Sequence, residues 1–245
     1  MNIRILLATT RRVLRQLSRD HRTIAMILLL PSFLLTILYF MYEDNTMLFQ
    51  GIATIMLGIL PFTVMFLITS IAMLRERTSG TLERLMASPL HKLDLLFGYG
   101  LAFGLAATAQ ATVTIAVAYF AFDVRPTAGT ALVALVAVVN ALLGVSIGLF
   151  TSAFARTEFQ SVQFMPLIAF PQILLCGLFV PRAEMNIVLQ HISDVLPLTY
   201  GVSALQEIAA PSPATTEIWT DIGIVAGVVA LALVLAAATL RRRTP

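Results

Sequence analysis

The side chains able to do chemistry are few, and their spacing keeps them apart. His21, His91 and His191, with Cys176, are the types that bind transition metals, and a metal site needs three or four of them in one pocket. The histidines fall in three segments. His21 and His91 belong to one side of the bilayer pattern derived below and His191 to the other, so they do not form one site with Cys176. His191 and Asp194 could share a small site on one helix face, although an exposed polar face accounts for them as well. Cys176 lies in an apolar run as a small buried hydrophobe, and a lone cysteine forms no intramolecular disulfide. Gln110 and Asn140 are the most polar residues deep in the apolar runs. As a pair they could hydrogen-bond between two spans or touch a solute. No acidic, basic or histidine residue lies near the middle of a run, where ion-driven carriers bind their coupling ion. No glycine-rich lysine loop is present to cradle nucleotide phosphates. If the protein moves a solute uphill, the energy therefore has to enter from another chain.

The elements that position these residues follow from composition. The 245 residues are 58% hydrophobic and 12% charged, against about 25% charged in an ordinary soluble domain. This is the balance of an all-α polytopic membrane protein. Residues 1–22 set Ile3, Leu6, Leu7, Val13, Leu14 and Leu17 against six arginines, which reads as a basic amphipathic helix in the membrane interface. Six spans are expected at 23–42, 48–74, 93–122, 130–154, 162–180 and 222–240. Gly100 with Gly104, and Gly144 with Gly148, have the four-residue spacing that lets helices approach closely. Residues 181–221 are too apolar for a free loop and read as one or two short helices at the outer membrane edge.

Residues 75–92 form the long polar segment between spans two and three. Gly80 and Thr81 open a short helix, Glu83 occupies its first turn near the positive end of the dipole, and Pro89 closes it. Leu82, Leu85 and Met86 share one side. A helix of about two turns needs a surface to dock on. That surface is lipid if the helix is an anchor, and another protein if it receives force.

Orientation follows from counting. With the N-terminus inside, fourteen of the sixteen Lys and Arg fall on the inner side and only Arg125 and Arg182 on the outer. An excess of that size places both termini in the cytoplasm. It also explains the net charge of +3 without nucleic acid.

The order of these features resembles the permease subunit of type-2 ATP-binding-cassette (ABC-2) exporters, of the drug, antibiotic-resistance and nodulation-factor or polysaccharide branch. The resemblance rests on the basic N-terminal helix, the six spans, and Glu76, Gly80, Thr81, Leu82, Glu83 and Pro89 between spans two and three. It extends to Pro171, Gly177, Phe179 and Pro181, then Leu196, Pro197, Leu198 and Tyr200. The family's acidic run before the glycine is shortened here to RERTSG. The resemblance implies a permease in the cell membrane that moves a hydrophobic or amphipathic solute (drug, lipid or glycan). It would work as a homodimer or heterodimer with cytoplasmic ABC ATPase subunits, which bind ATP and Mg, and carry no cofactor of its own. Glu76, Gly80, Thr81, Leu82, Glu83 and Leu85 would couple to the ATPase. Pro181, Ile187, Val188, Ile192, Pro197 and Tyr200 would form the external re-entrant gate. The residues alone leave open an intramembrane lipid-modifying enzyme or a structural subunit of a membrane assembly.

Overall fold

A computed structural model describes residues 3–81, 92–126, 129–210 and 215–239. The elements are α1 (Ile3–Arg19), α2 (His21–Met41), α3 (Thr46–Thr78), α4 (Lys92–Phe122), α5 (Thr130–Thr151), α6 (Glu158–Phe164), α7 (Phe170–Leu175), α8 (Ile187–Val195), α9 (Pro197–Ala209) and α10 (Glu217–Thr239). A π-helical turn, Met165–Ala169, joins α6 to α7, and a short 3-10 turn, Arg182–Glu184, precedes α8. No strand occurs among the described residues.

Five helices, α2, α3, α4, α5 and α10, are long and apolar enough to cross a membrane. The segment expected as a span at 162–180, interrupted by Pro166 and Pro171, is a broken helix. It starts at Glu158, passes through the π turn that holds Pro166, resumes at Phe170 with Pro171, and ends at Leu175. Proline donates no backbone hydrogen bond, so two of them five residues apart disrupt regular α-helical bonding and favour the wider turn. Asp20 ends α1 and begins α2 in one step, accepting hydrogen bonds from the Thr23 amide (3.1 Å) and the Thr23 hydroxyl (2.6 Å). Those bonds hold its carboxyl below the usual carboxylate range.

α3 and α5 share the most extensive interface, and glycine creates it. A Cβ placed on Gly144 would lie 2.2 Å from the Phe62 carbonyl oxygen, and one on Gly148 would lie 2.6 Å from that of Phe66. Lipid tails are as apolar as leucine, so close backbone approach and dense packing, not exclusion of water, hold such a pair together. The Gly100 and Gly104 pair serves two different neighbours, with Gly100 facing Leu233 on α10 and Gly104 facing Leu142 on α5.

The bundle has two distinct ends. One gathers Val13, Ile27, Met73, Leu95, Tyr99, Leu149 and Ala237, from α1, the start of α2, the end of α3, the start of α4, the end of α5 and the end of α10. The other gathers Leu35, Phe49, Val124, Ile208 and Ile218, with Tyr39 stacked on Phe122 at 4.7 Å. Arg125 and Arg182 lie on connections away from the basic end, each paired with an aspartate, Asp123 and Asp194 respectively.

Candidate functional site

α1 does not merely rest on lipid. Its face of Leu6, Thr9, Thr10 and Val13 is buried, and the Thr10 hydroxyl donates to the Gly98 carbonyl of α4 at 3.2 Å. Small residues on both sides permit that contact, because a Cβ on Gly98 would meet Thr9 at 2.7 Å. Docking α1 on α4 turns its other flank toward the polar end of α3. There the Glu76 carboxylate, 12% exposed, accepts from Arg12 at 3.4 Å and from Gln16 at 3.0 Å. Arg12 also donates to the Tyr99 hydroxyl and lies over the Tyr99 ring. One residue earlier, Arg75 grips Glu158 of α6 with two bonds of 2.7 and 3.1 Å. Arg77 donates to the Ser152 carbonyl at the end of α5. The last turn of α3 is thus tied to α1, α4, α5 and α6 together.

The residues expected to couple to a partner divide at the limit of the described chain. Glu76 lies in the last two turns of α3, Gly80 has φ +72°, and the Thr81 hydroxyl is 3.0 Å from that of Ser79. The left-handed φ at Gly80 is the conformation only glycine adopts without strain, and it ends α3. Leu82, Glu83 and Leu85 lie outside the described residues.

The segment expected to form an outer gate comprises two unlike helices. α8 is amphipathic and superficial, with Ile187, Val188 and Ile192 exposed, and Pro181 is exposed before it. α9 instead belongs to the core. Leu198, Val202, Ala204, Leu205 and Ile208 are fully buried, packed against α3, α5 and α10. Of the short helices expected in this segment, α9 is thus the one that packs on protein, burying its apolar stripe against the long helices. Pro197 opens α9, and the half-buried Tyr200 donates its hydroxyl to the Asp194 carbonyl of α8 at 2.7 Å.

Three side chains not anticipated from the sequence pin this region. Gln172 of α7 accepts from the Leu198 amide at 3.3 Å, the Ser193 hydroxyl donates to the Leu175 carbonyl at 2.8 Å, and the Gln206 side chain donates to the Gly177 carbonyl at 2.9 Å. They supply partners to backbone groups at the end of the broken helix, Leu175 and Gly177, and in the first turn of α9, Leu198. A glutamine directly after Pro171 in an apolar run was the available signal.

Gln110 and Asn140 are both fully buried, but the interhelical bond expected between them is not made. Neither amide has a hydrogen-bond partner among the described residues. Asn140 is instead wedged between two backbones. A Cβ on Gly201 of α9 would lie 2.0 Å from its Oδ1, and one on Gly58 of α3 would lie 2.7 Å from its Nδ2. Shape, not hydrogen bonding, therefore sets its place. Asn140→Ala is expected to change thermal stability of the purified chain in detergent by less than about 1 kcal/mol, since lost packing is offset by removal of an unpaired amide. Asn140→Asp should cost about 2.5 to 3.5 kcal/mol, the insertion penalty of a charge at that depth. Equal losses for both variants would mean that the amide has a partner.

Among the described residues no group of three His, Cys, Asp or Glu is placed to hold a metal ion. Cys176 is buried and forms no disulfide.

Comparison with known proteins agrees with this architecture. The chain is 28% identical over 166 residues to "ABC transporter G family member 20" of Dictyostelium discoideum, an alignment that covers 68% of this chain and 23% of that protein. It is 27% identical over 156 residues to "Probable multidrug ABC transporter permease YbhR" of Escherichia coli (strain K12), covering 64% of this chain and 42% of that protein. The chain therefore aligns with less than half the length of either relative. The family described as "ABC-2 type transporter" matches residues 4–209, from the first turns of α1 through α9. That match takes in the tied end of α3, the broken helix and the buried α9 in one continuous stretch, and on it the chain belongs to the ABC-2 type transporter family.

Proposed function

We propose that this protein is the membrane-spanning permease of an ATP-driven exporter. It would form the pathway for a hydrophobic or amphipathic solute and take its energy from cytoplasmic ABC ATPase subunits that bind ATP and Mg. The observation that supports this best is the gathering of α1, α4, α5 and α6 around the last turn of α3, directly before the segment read as a coupling helix. An anchor has no need of so many cross-links; an element that passes on force does. The energy source must lie on another chain or domain, because these 245 residues hold no phosphate-binding loop.

In this reading the protein is a multi-pass protein of the cell membrane with both described ends on the cytoplasmic side, and it works as a pair of permeases, identical or different. α8 would shape the outer exit, with its apolar face in lipid or against the second permease. The family match counts against an intramembrane lipid-modifying enzyme.

The experiment is a topology and turnover test on one preparation. With Cys176 replaced, single cysteines at Arg84, Glu43, Asp123 and Glu207 are exposed to an impermeant thiol reagent in intact cells. Positions 43, 123 and 207 are expected to label and position 84 to stay dark. The purified chain alone should hydrolyse no ATP, and hydrolysis should appear only with an ABC ATPase. Labelling at position 84, or turnover by the chain alone that a point change within it abolishes, would refute the proposal.

A further inference from the structure

The cleft between α1, the start of α2, the end of α3 and the start of α4 encloses about 420 Å³, a volume in the range of small-molecule sites. Its long wall is α3, and that wall changes character along its length. Leu67, Ile71, Arg75 and Ser79 follow one another at four-residue intervals on one face, and Ile68, Ala72 and Glu76 form the stripe beside it. From Leu67 to Ser79 the wall runs about 18 Å at about 1.5 Å per residue. It is apolar for the first half and charged for the second. Phe103 closes the apolar half, and Asp20 and Gln16 complete the polar rim. The half-exposed Met26 lines the side toward α2, so the apolar half opens on the lipid-facing surface.

Both signs of charge stand on the rim. Asp20 is held ionised by its bonds to Thr23. Glu76 turns a carboxylate toward the cleft and keeps accepting capacity beyond its bonds to Arg12 and Gln16. Arg75 uses Nε and Nη2 on Glu158, which leaves Nη1. Apolar wall and mixed-charge rim meet at the level where the amphipathic α1 meets the first span. We propose that this cleft binds one phospholipid with a zwitterionic head. Its ammonium would sit between Asp20 and Glu76, its phosphate at Arg75, and an acyl chain along Leu67 and Ile71. A purely cationic amphiphile would leave Arg75 facing its charge, and an anionic lipid would meet two carboxylates. The assignment does not depend on the exporter reading, because it concerns equilibrium binding to the chain.

The test is titration of the purified, delipidated full chain with dihexanoyl phosphatidylethanolamine below its micelle concentration, followed by native mass spectrometry. Dihexanoyl phosphatidylglycerol and tetraphenylphosphonium are run in parallel. One molecule of the zwitterionic lipid is expected to bind, and Glu76→Gln combined with Asp20→Asn should weaken it about tenfold, as loss of charge-assisted hydrogen bonds does. Asn at position 20 still caps α2. Glu158→Gln, which breaks the Arg75–Glu158 salt bridge but leaves Arg75 at the cleft, should bind as tightly as the parent or tighter. Ile71→Trp, which fills the apolar half, should abolish binding and gives a second arm if the carboxylate variants lose their helical circular dichroism. Three outcomes overturn the proposal: tighter binding of the anionic lipid, displacement of the zwitterionic lipid by tetraphenylphosphonium without effect of Arg75→Gln, or undiminished binding in Ile71→Trp.

Discussion

Valine at position 144 is expected to disassemble the bundle, with the purified Gly144→Val chain losing its cooperative thermal transition and its monodisperse elution in mild detergent. The obstruction is backbone, not side chain. A Cβ at 144 would lie 2.2 Å from the Phe62 carbonyl oxygen and 3.0 and 3.1 Å from the Phe62 carbonyl carbon and Cα. A flexible side chain could swing away, but α3 cannot yield there alone, because Gly148 also holds it one turn further on, where a Cβ would lie 2.6 Å from the Phe66 carbonyl oxygen. Overpacking of a dense interface costs about 1 to 3 kcal/mol, and a rigid carbonyl oxygen as the obstacle puts the cost at or above about 3 kcal/mol. That is a large share of the stability of a domain, about 5 to 15 kcal/mol. Gly223→Val on α10 is the control, since nothing lies within 4 Å of a Cβ there. It should behave as the parent does. A Gly144→Val chain as stable as Gly223→Val would show that α3 and α5 do not approach this closely.

Lysine at position 83 is expected to leave insertion intact and to uncouple the chain from its ATPase. The substitution lies on the segment directly after Thr81, where the coupling helix is placed by the proposal above. Within that helix the reversed charge at the first turn costs about 1 kcal/mol through the dipole, too little to remove a multi-span protein from the membrane. Against a docking groove that matches a carboxylate, the like-charge contact it creates costs several kcal/mol. Each 1.4 kcal/mol is tenfold in affinity, so co-purification of the ATPase and solute-linked hydrolysis should both fall at least about tenfold at equal expression. Proline at Arg84 is uninformative, because it breaks anchor and coupling helix alike. Normal assembly and normal export in Glu83→Lys would return the segment to the anchor reading.

These two results test different kinds of knowledge. The four-residue glycine spacing at 144 and 148 pointed to a close helix approach before any partner was known, and the structure supplies α3 as that partner. The same spacing at 100 and 104 was equally visible and marks no single interface, since those glycines face α10 and α5 respectively. Spacing says which face can come close; only the fold says what arrives there.

What the sequence by itself determined is everything that depends on local chemistry. Runs of about twenty apolar residues must bury their backbone polar groups in helices, and this dictated the five long helices and the all-α architecture. Proline at 166 and 171 dictated that the remaining span would break, although not that the break would be a π turn. The amphipathic pattern of α1 was legible as well, but its partner was not. Leu6 and Val13 could face lipid or protein equally, and it is Gly98, eighty-five residues after Val13, that makes room for α1 against α4. The tertiary structure likewise decided that Asn140 packs between Gly58 and Gly201 and does not bond Gln110. It decided that α9 buries its apolar stripe against α3, α5 and α10, and that Arg12, Gln16 and Tyr99 meet at Glu76. In a membrane bundle every helix is apolar on most sides, so hydrophobicity no longer distinguishes an inner face from an outer one. Which side chains meet is settled by steric fit between helices far apart in the chain, information that no local stretch contains.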